Sequence, residues 1–168
     1  MYDYQQFYQN LSHPFRRLTH GEALVNILNI LLTLLYYAVY PILLVMAWWQ
    51  THSWWVVLML LAVPGGSFLI VSAFRRWFNR QRPYEKWGIN PLLKDIESGK
   101  SFPSKHVFSA TIISVSVWFL FPVPGYILIG CALLLAIMRV IGGVHYPGDV
   151  LMGYLIGLLF GSLYFILL

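Results

Sequence analysis

Three short polar clusters interrupt an otherwise apolar chain. They are RRWFNRQRP from Arg75 to Pro83, PSKH from Pro103 to His106, and RVIGGVHYPGD from Arg139 to Asp149. Arg75, Arg82 and Arg139 carry planar forks of donors that match phosphate oxygens. Ser104 adds a hydroxyl. The backbone amides of Lys105 and His106 stand at a predicted helix start, where N–H groups and the helix dipole favour an anion. Together these groups would form a cage for a tetrahedral oxyanion. Two histidines stand beside it. His145 and Asp149 are four residues apart. A carboxylate bonded to one imidazole nitrogen would fix the tautomer and leave the other nitrogen free to attack. His106 remains to protonate a departing oxygen as a general acid. Taken singly, His145 could merely cap a helix and Asp149 could be the N-cap of the last span. The three clusters together favour chemistry.

Such groups need elements to hold them at one place, and the composition says what those elements are. Of 168 residues, 59% are hydrophobic and only 10% are charged, whereas a soluble domain has about a quarter charged. Five apolar runs approach the roughly 20 helical residues that cross a bilayer: about Leu24 to Trp49, Trp54 to Phe74, Ser104 to Phe121, Tyr126 to Ile141, and Asp149 to Leu168. The expected fold is an all-α polytopic transmembrane bundle in one domain over residues 1–168. Ahead of the first run, Tyr4, Phe7, Tyr8, Leu11, Phe15 and Leu18 recur at helical spacing across Pro14. Residues 1–20 therefore read as one or two short helices lying in the interface. Their opening lacks the basic start and early apolar core of a secretory signal. Trp48, Trp49, Trp54 and Trp55 bracket the first turn as an aromatic belt. Phe121 to Gly125 reads as a tight loop. Pro41 and Pro64-Gly65-Gly66 interrupt their helices, which neighbouring helices in a membrane can tolerate. Cys131 reads as a buried small residue.

Because helices alternate direction, all three clusters fall on one face of the bundle. That face also holds all eleven Lys and Arg and all six acids, and the other face has only His52 among ionisable groups. Setting aside Arg75, Arg82, Lys105 and Arg139 as candidates for chemistry still leaves seven of the eleven. The charge rule then favours the cytoplasm for this face, whereas an outward site would follow if residues 1–20 contribute more membrane crossing. Arg76 and Arg80 read as headgroup anchors. Lys86, Lys94 and Lys100, with Glu85, Asp95 and Glu97, read as a solvated face of the motif-bearing loop, residues 75–105. His13, His20 and His52 read as interfacial. Gly153, Gly157 and Gly161 form a double small-xxx-small stripe, which serves either packing inside the chain or a homodimer seam.

The clusters resemble the three signature motifs of the type 2 phosphatidic acid phosphatase superfamily, to which vanadium haloperoxidases also belong. The family pattern is Lys-x6-Arg-Pro, then Pro-Ser-Gly-His, then Ser-Arg-x5-His-x3-Asp. In this sequence Arg75 stands in the lysine place, Lys105 in the glycine place, and Met138 in the place of the first serine of the third motif. The resemblance runs from about Arg75 to Leu168. It implies that His145 is a nucleophile forming a phosphohistidine, that Asp149 orients it, and that His106 is the general acid. It implies that Arg75, Arg82, Ser104 and Arg139 bind the phosphoryl group, with Lys105 a possible contact to a second phosphate. No metal or cofactor is implied, since arginines supply the charge stabilisation. The expected partners are the bilayer and a lipid phosphate, such as phosphatidic acid, phosphatidylglycerophosphate or a polyprenyl phosphate or diphosphate. No nucleic-acid partner is expected. The competing reading is a binder or translocator that keeps the cage without turnover, and a pure binder would not need the full set of His106, His145 and Asp149. A transporter is disfavoured because no span has an ionisable residue near its middle.

Overall fold

The computed structural model describes residues 3–94 and 98–168, and all regular structure among them is helical. Asp95 and Glu97 lie outside the described residues. The first helix, α1 (Tyr4–Arg17), starts where the Asp3 carboxylate accepts the amides of Gln5 at 2.9 Å and Gln6 at 3.4 Å. It is a single helix that runs through Pro14. Its inward residues Tyr4, Tyr8 and Ser12 pack on the protein itself. The sequence suggests a helix resting on lipid; the structure gives its aromatic face a protein floor.

A short turn leads to α2 (Gly21–Thr51), followed by α3 (Trp54–Phe78). Neither Pro41 nor Pro64-Gly65-Gly66 ends its helix; each is absorbed within a long span packed on its neighbours. The α2–α3 hairpin turns at His52, which adopts φ 48°, and Ser53 caps α3. The Trp48 and Trp54 rings meet there at 4.1 Å, and Trp49, Trp54 and Trp55 face outward as an interfacial belt.

After the short α4 (Pro83–Trp87) comes α5 (Lys105–Leu120), the most enclosed helix. Its hydroxyls return to the backbone one turn earlier: Thr111 to Val107 at 2.9 Å, Ser114 to Ala110 at 2.7 Å and Ser116 to Ile112 at 2.8 Å. Ser114 and Ser116 also meet the hydroxyls of Tyr36 and Tyr164. These bonds let a Ser- and Thr-rich helix sit in an apolar interior without orphaned polar groups. Next is α6 (Pro122–Ile141), beginning one residue after α5. The expected loop at Phe121 to Gly125 is therefore corrected. Only Phe121 links the helices, and Pro122 opens α6 because a proline with fixed φ suits a first helical turn. The turn is this tight because Gly125 lies against the Trp118 backbone, where a Cβ would come within 2.2 Å of its Cα. Cys131 is half-buried on α6. The chain closes with α7 (Pro147–Gly161) and α8 (Tyr164–Leu167).

Among the described residues four stretches are long and apolar enough to cross a membrane: Gly21–Thr51, Trp54–Trp87, Pro122–Ile141 and Pro147–Leu167. The fifth expected run forms the shorter α5, whose start at Ser104 is wholly buried in protein. The other helices turn many large apolar side chains outward, among them Leu31, Val45, Leu69 and Leu159, as a bundle surrounded by lipid requires.

The glycine stripe of α7 faces α5 of the same chain. A Cβ at Gly153 would meet the Ser104 carbonyl at 2.6 Å, one at Gly157 the Thr111 Cβ at 2.7 Å, and one at Gly161 the Val115 Cβ at 2.7 Å. The stripe thus serves packing within the chain, one of the two roles expected for it. It lets α7 lie against α5 at backbone contact. Gly157→Ala is expected to destabilise the protein by about 1–3 kcal/mol through overpacking. Gly130→Ala on α6, where the added methyl meets open space, should be neutral or stabilising; thermal unfolding in detergent micelles reads both.

Candidate active site

The three polar clusters meet at one end of the bundle. The first sits at the last turn of α3 and the link to α4, the second at the start of α5, and the third between α6 and α7. Backbone bonds stitch them together. Ser101 N–H donates to the Arg80 carbonyl at 2.8 Å, Ser104 N–H to the Asp149 carbonyl at 2.9 Å, and Leu93 N–H to the Gly142 carbonyl at 3.1 Å. The Arg75 guanidinium, buried at the end of α3, donates to the Pro103 carbonyl. Arg82 Nε donates to the Gly99 carbonyl at 3.2 Å. Glu85 accepts the Arg82 amide at 2.7 Å, the Ser98 hydroxyl at 2.8 Å and the Gly99 amide at 3.0 Å. Glu85 therefore fastens the loop, which corrects its reading as part of a merely solvated face. Lys86, Lys94 and Lys100 are exposed, as are Arg76, His13, His20 and His52.

Asp149 is the third residue of α7, and there its carboxylate accepts the Tyr146 amide at 3.1 Å. The same carboxylate, 0% exposed, accepts from the Ser101 hydroxyl and pairs with Arg80 Nη1 at 2.7 Å. It lies 3.6 Å from Nδ1 of His145, which is itself 1% exposed. Burial holds the His145 imidazole far below its ordinary range, to about 3; Asp149 opposes that fall, and the charges of Arg139 and Arg82 add to it. The ring is accordingly neutral at physiological pH. Arg82 and Arg139 are both almost fully buried within electrostatic reach of it. The Ser104 hydroxyl, also buried, has no hydrogen-bond partner among the described residues. A buried hydroxyl without a partner marks a place where a further polar group fits.

The structure thus brings His145, Asp149, Arg82, Arg139 and Ser104 to one locus, with Arg75 fixing the loop beside it. Lys105 and His106, in the first turn of α5, line a cavity of about 140 Å³ with Thr33, Tyr37 and Phe68. The Lys105 ammonium lies over the Phe68 ring at 4.1 Å. A second cavity of about 180 Å³ shares Phe68, Ser109 and Ile113 with the first and continues along α5 to Ile112, with Tyr40, Pro64 and Gly65 on its other walls. The two form an apolar track from His106 toward the middle of the bundle.

Four contributors escape a reading of the sequence alone. Arg80 is an ion-pair partner of Asp149 and lies 4.2 Å over the Tyr146 ring, which corrects its reading as a headgroup anchor. Ser101 bonds Asp149 from outside the PSKH cluster. Tyr4 of α1 meets Tyr146 edge-on at 4.9 Å, so the interfacial helix roofs the third cluster. Tyr8 supports it from beside Gly143, whose φ of 77° and lack of a side chain admit the Tyr8 ring. The adjacent arginine and aromatic residues were visible signals, but nothing in their spacing points to a partner.

Comparison with known proteins fits this geometry. Among solved structures the chain resembles LpxE of Aquifex aeolicus, at 22% identity and a TM-score of 0.74, over 96% of this chain and 93% of that one. It also resembles the first transmembrane PAP2-type phosphatidylglycerolphosphate phosphatase from Bacillus subtilis, at 24% identity and a TM-score of 0.72, over 99% of this chain and 85% of that one. No curated protein matches it. The PAP2 superfamily model matches residues 52–168, a stretch that starts just after α2 and contains all three clusters. The chain belongs to the PAP2 superfamily, the family its motifs resemble.

Proposed function

We propose that the protein is an integral membrane phosphatase of lipid phosphates, working through His145. The observation that carries this reading is a buried imidazole with a carboxylate at its Nδ1 and two buried arginines within electrostatic reach, burial favouring its neutral form. A neutral imidazole offers a lone pair, while the arginines draw a phosphoryl dianion toward it. Nε2 of His145 attacks phosphorus, and the bond from phosphorus to the leaving oxygen breaks. His106 gives its proton to that oxygen, so an alcohol or a shorter phosphate departs. Water, deprotonated by the now neutral His106, then attacks the phosphohistidine. Inorganic phosphate leaves and both histidines return to their starting states. Arg82, Arg139, the Ser104 hydroxyl and Arg75 hold the phosphoryl oxygens, Arg75 also fixing Pro103. The charge neutralisation that a metal could provide comes here from guanidinium groups, so the reaction needs no metal.

The apolar track beginning at His106 supports a lipid as the departing group. A tail lying along α5 would put its head oxygen beside the acid. Lys105, at the mouth of the track, is placed for a second phosphate or an anionic headgroup. Phosphatidic acid, phosphatidylglycerophosphate and undecaprenyl diphosphate are the substrates to try, the second also because of the Bacillus subtilis neighbour. The eleven Lys and Arg gathered at the site's end of the bundle support a cytoplasmic site in the cell membrane.

Purified protein in detergent is expected to release phosphate from at least one of these three lipids, with EDTA present, and His145→Ala to release none. His106→Ala should lower kcat about 10²–10⁴-fold on the lipid, whereas the first-turnover burst of p-nitrophenolate from p-nitrophenyl phosphate, which leaves without a proton, should be lowered much less. Release from none of the three lipids by folded protein that still binds inorganic phosphate would favour the non-catalytic binder.

Gly65 and Gly66 both have open space where a Cβ would point, but only Gly65 lines the track. Gly65→Leu is therefore expected to lower kcat/KM for a long-chain lipid phosphate about tenfold, the loss of roughly one favourable side-chain burial. It should spare a short-chain analogue, and Gly66→Leu should have little effect on either.

His145 also predicts a pH dependence of stability. The unfolded chain takes up this proton near 6.5, whereas the folded protein takes it up only near 3. Between those values the unfolded state binds more protons, so this stability is full above about 6.5 and is lost as pH falls toward 3. Thermal midpoints measured from pH 7.5 to 4.5 should fall more steeply for the wild type than for His145→Gln.

A further inference from the structure

Asp149 accepts from more groups than the three signature clusters supply. Its Oδ1 meets Arg80 and its Oδ2 meets both the Tyr146 amide and the Ser101 hydroxyl. Ser101 is 0% exposed, and its oxygen also stands 3.5 Å from His145 Nδ1. A serine has one hydrogen to donate. Here that hydrogen lies on the closer neighbour, the Asp149 carboxylate. Toward His145 the Ser101 oxygen can then only accept. The carboxylate beside it is also only an acceptor. Both neighbours of Nδ1 therefore require Nδ1 to carry the ring proton. In a neutral ring that leaves Nε2 bare.

Arg80 completes the arrangement from the opposite side of the carboxylate. Its guanidinium is flanked by Asp149 at 2.7 Å and the face of Tyr146 at 4.2 Å. Its backbone carbonyl receives the Ser101 amide at 2.8 Å. The two residues thus hold one another as well as the carboxylate. The Arg80 side chain remains 39% exposed, so it can be changed without opening the core.

We propose that Ser101 and Arg80 are positioning residues, Ser101 as a second acceptor that fixes the His145 tautomer and Arg80 as the clamp that holds Asp149 beside it. The proposal rests on the phosphatase reading for its kinetic consequence and on geometry alone for its tautomer. Its rival is that Arg80 is one more phosphate ligand. The two differ in what they do to phosphate affinity.

The test uses full-length protein in detergent with dioleoyl phosphatidic acid as substrate and inorganic phosphate as a competing probe. Arg80→Gln and Ser101→Ala are expected to lower kcat about 10–100-fold, the usual effect of removing an orienting partner. KM and the phosphate inhibition constant should stay within about twofold, and Arg80→Lys should restore most of the loss because it keeps the ion pair. Histidine ¹⁵N NMR gives the second readout. Wild-type His145 should show a protonated Nδ1 and a bare Nε2, and Arg80→Gln and Ser101→Ala should show mixed tautomers. If Ser101→Ala fails to fold, the Arg80 pair still decides the clamp, and Ser101→Cys, a poorer acceptor of similar size, replaces it. A raised phosphate inhibition constant in Arg80→Gln would make Arg80 a ligand and overturn the proposal. So would an unchanged tautomer together with an unchanged kcat. Absence of turnover in the wild type would sink the phosphatase reading instead, and the NMR arm would still decide the tautomer.

Discussion

A carboxylate with no solvent exposure is the constraint around which this end of the bundle is built. An isolated buried charge is costly enough that it would simply take up a proton. Asp149 is instead met by a guanidinium, a hydroxyl and a backbone amide. Each donor comes from a different place: Arg80 from the link after α3, Ser101 from the stretch before α5, and Tyr146 from the turn before α7. Satisfying one side chain therefore draws together the segments that carry the three clusters. The Ser104 amide on the Asp149 carbonyl adds a fourth tie through the backbone. The same residue also closes the first turn of α7 by accepting the Tyr146 amide. Fold and site share this atom group rather than merely adjoining.

The electrostatic arrangement beside it is equally directional. An imidazole between a carboxylate and two arginines is pulled both ways, and burial decides the outcome for the neutral ring. Arg82 and Arg139 are both buried and act on the ring through their charge, while Asp149 stands at its Nδ1. A phosphate entering such a site replaces repulsion among arginines with paired, charge-assisted hydrogen bonds.

Much of this was legible in the sequence because it is local. The four-residue step from His145 to Asp149, the spacing of Arg75 and Arg82, and the Ser-Lys-His start of α5 are short-range patterns that survive any detail of packing. The apolar runs and the charge segregation were legible for the same reason, since bilayer thickness imposes a length on each run. What could not be read was contact between irregular segments. Ser101 and Arg80 meet Asp149 across separations of 48 and 69 residues, in loops without periodicity. Glu85 looked like any acid in a charged loop until the Gly99 and Ser98 donors came to it. The loop expected at Phe121 to Gly125 has a different cause: Pro122 reads as punctuation, whereas it opens a helix.

Each group of the site lies at a helix start, a helix end or the turn beside one: Arg75 at the close of α3, Ser104 at the head of α5, Arg139 at the close of α6, Asp149 at the head of α7. The chemistry is thereby indexed to one plane of the molecule and not to any length beneath it. Turns could be added to or removed from the far ends of α2 and α3 without changing any residue of the proposed cage. The reaction centre is in that sense modular. The depth of the bundle can be retuned to a thicker or thinner bilayer, or the apolar track to a longer or shorter chain, while the catalytic plane stays as it is.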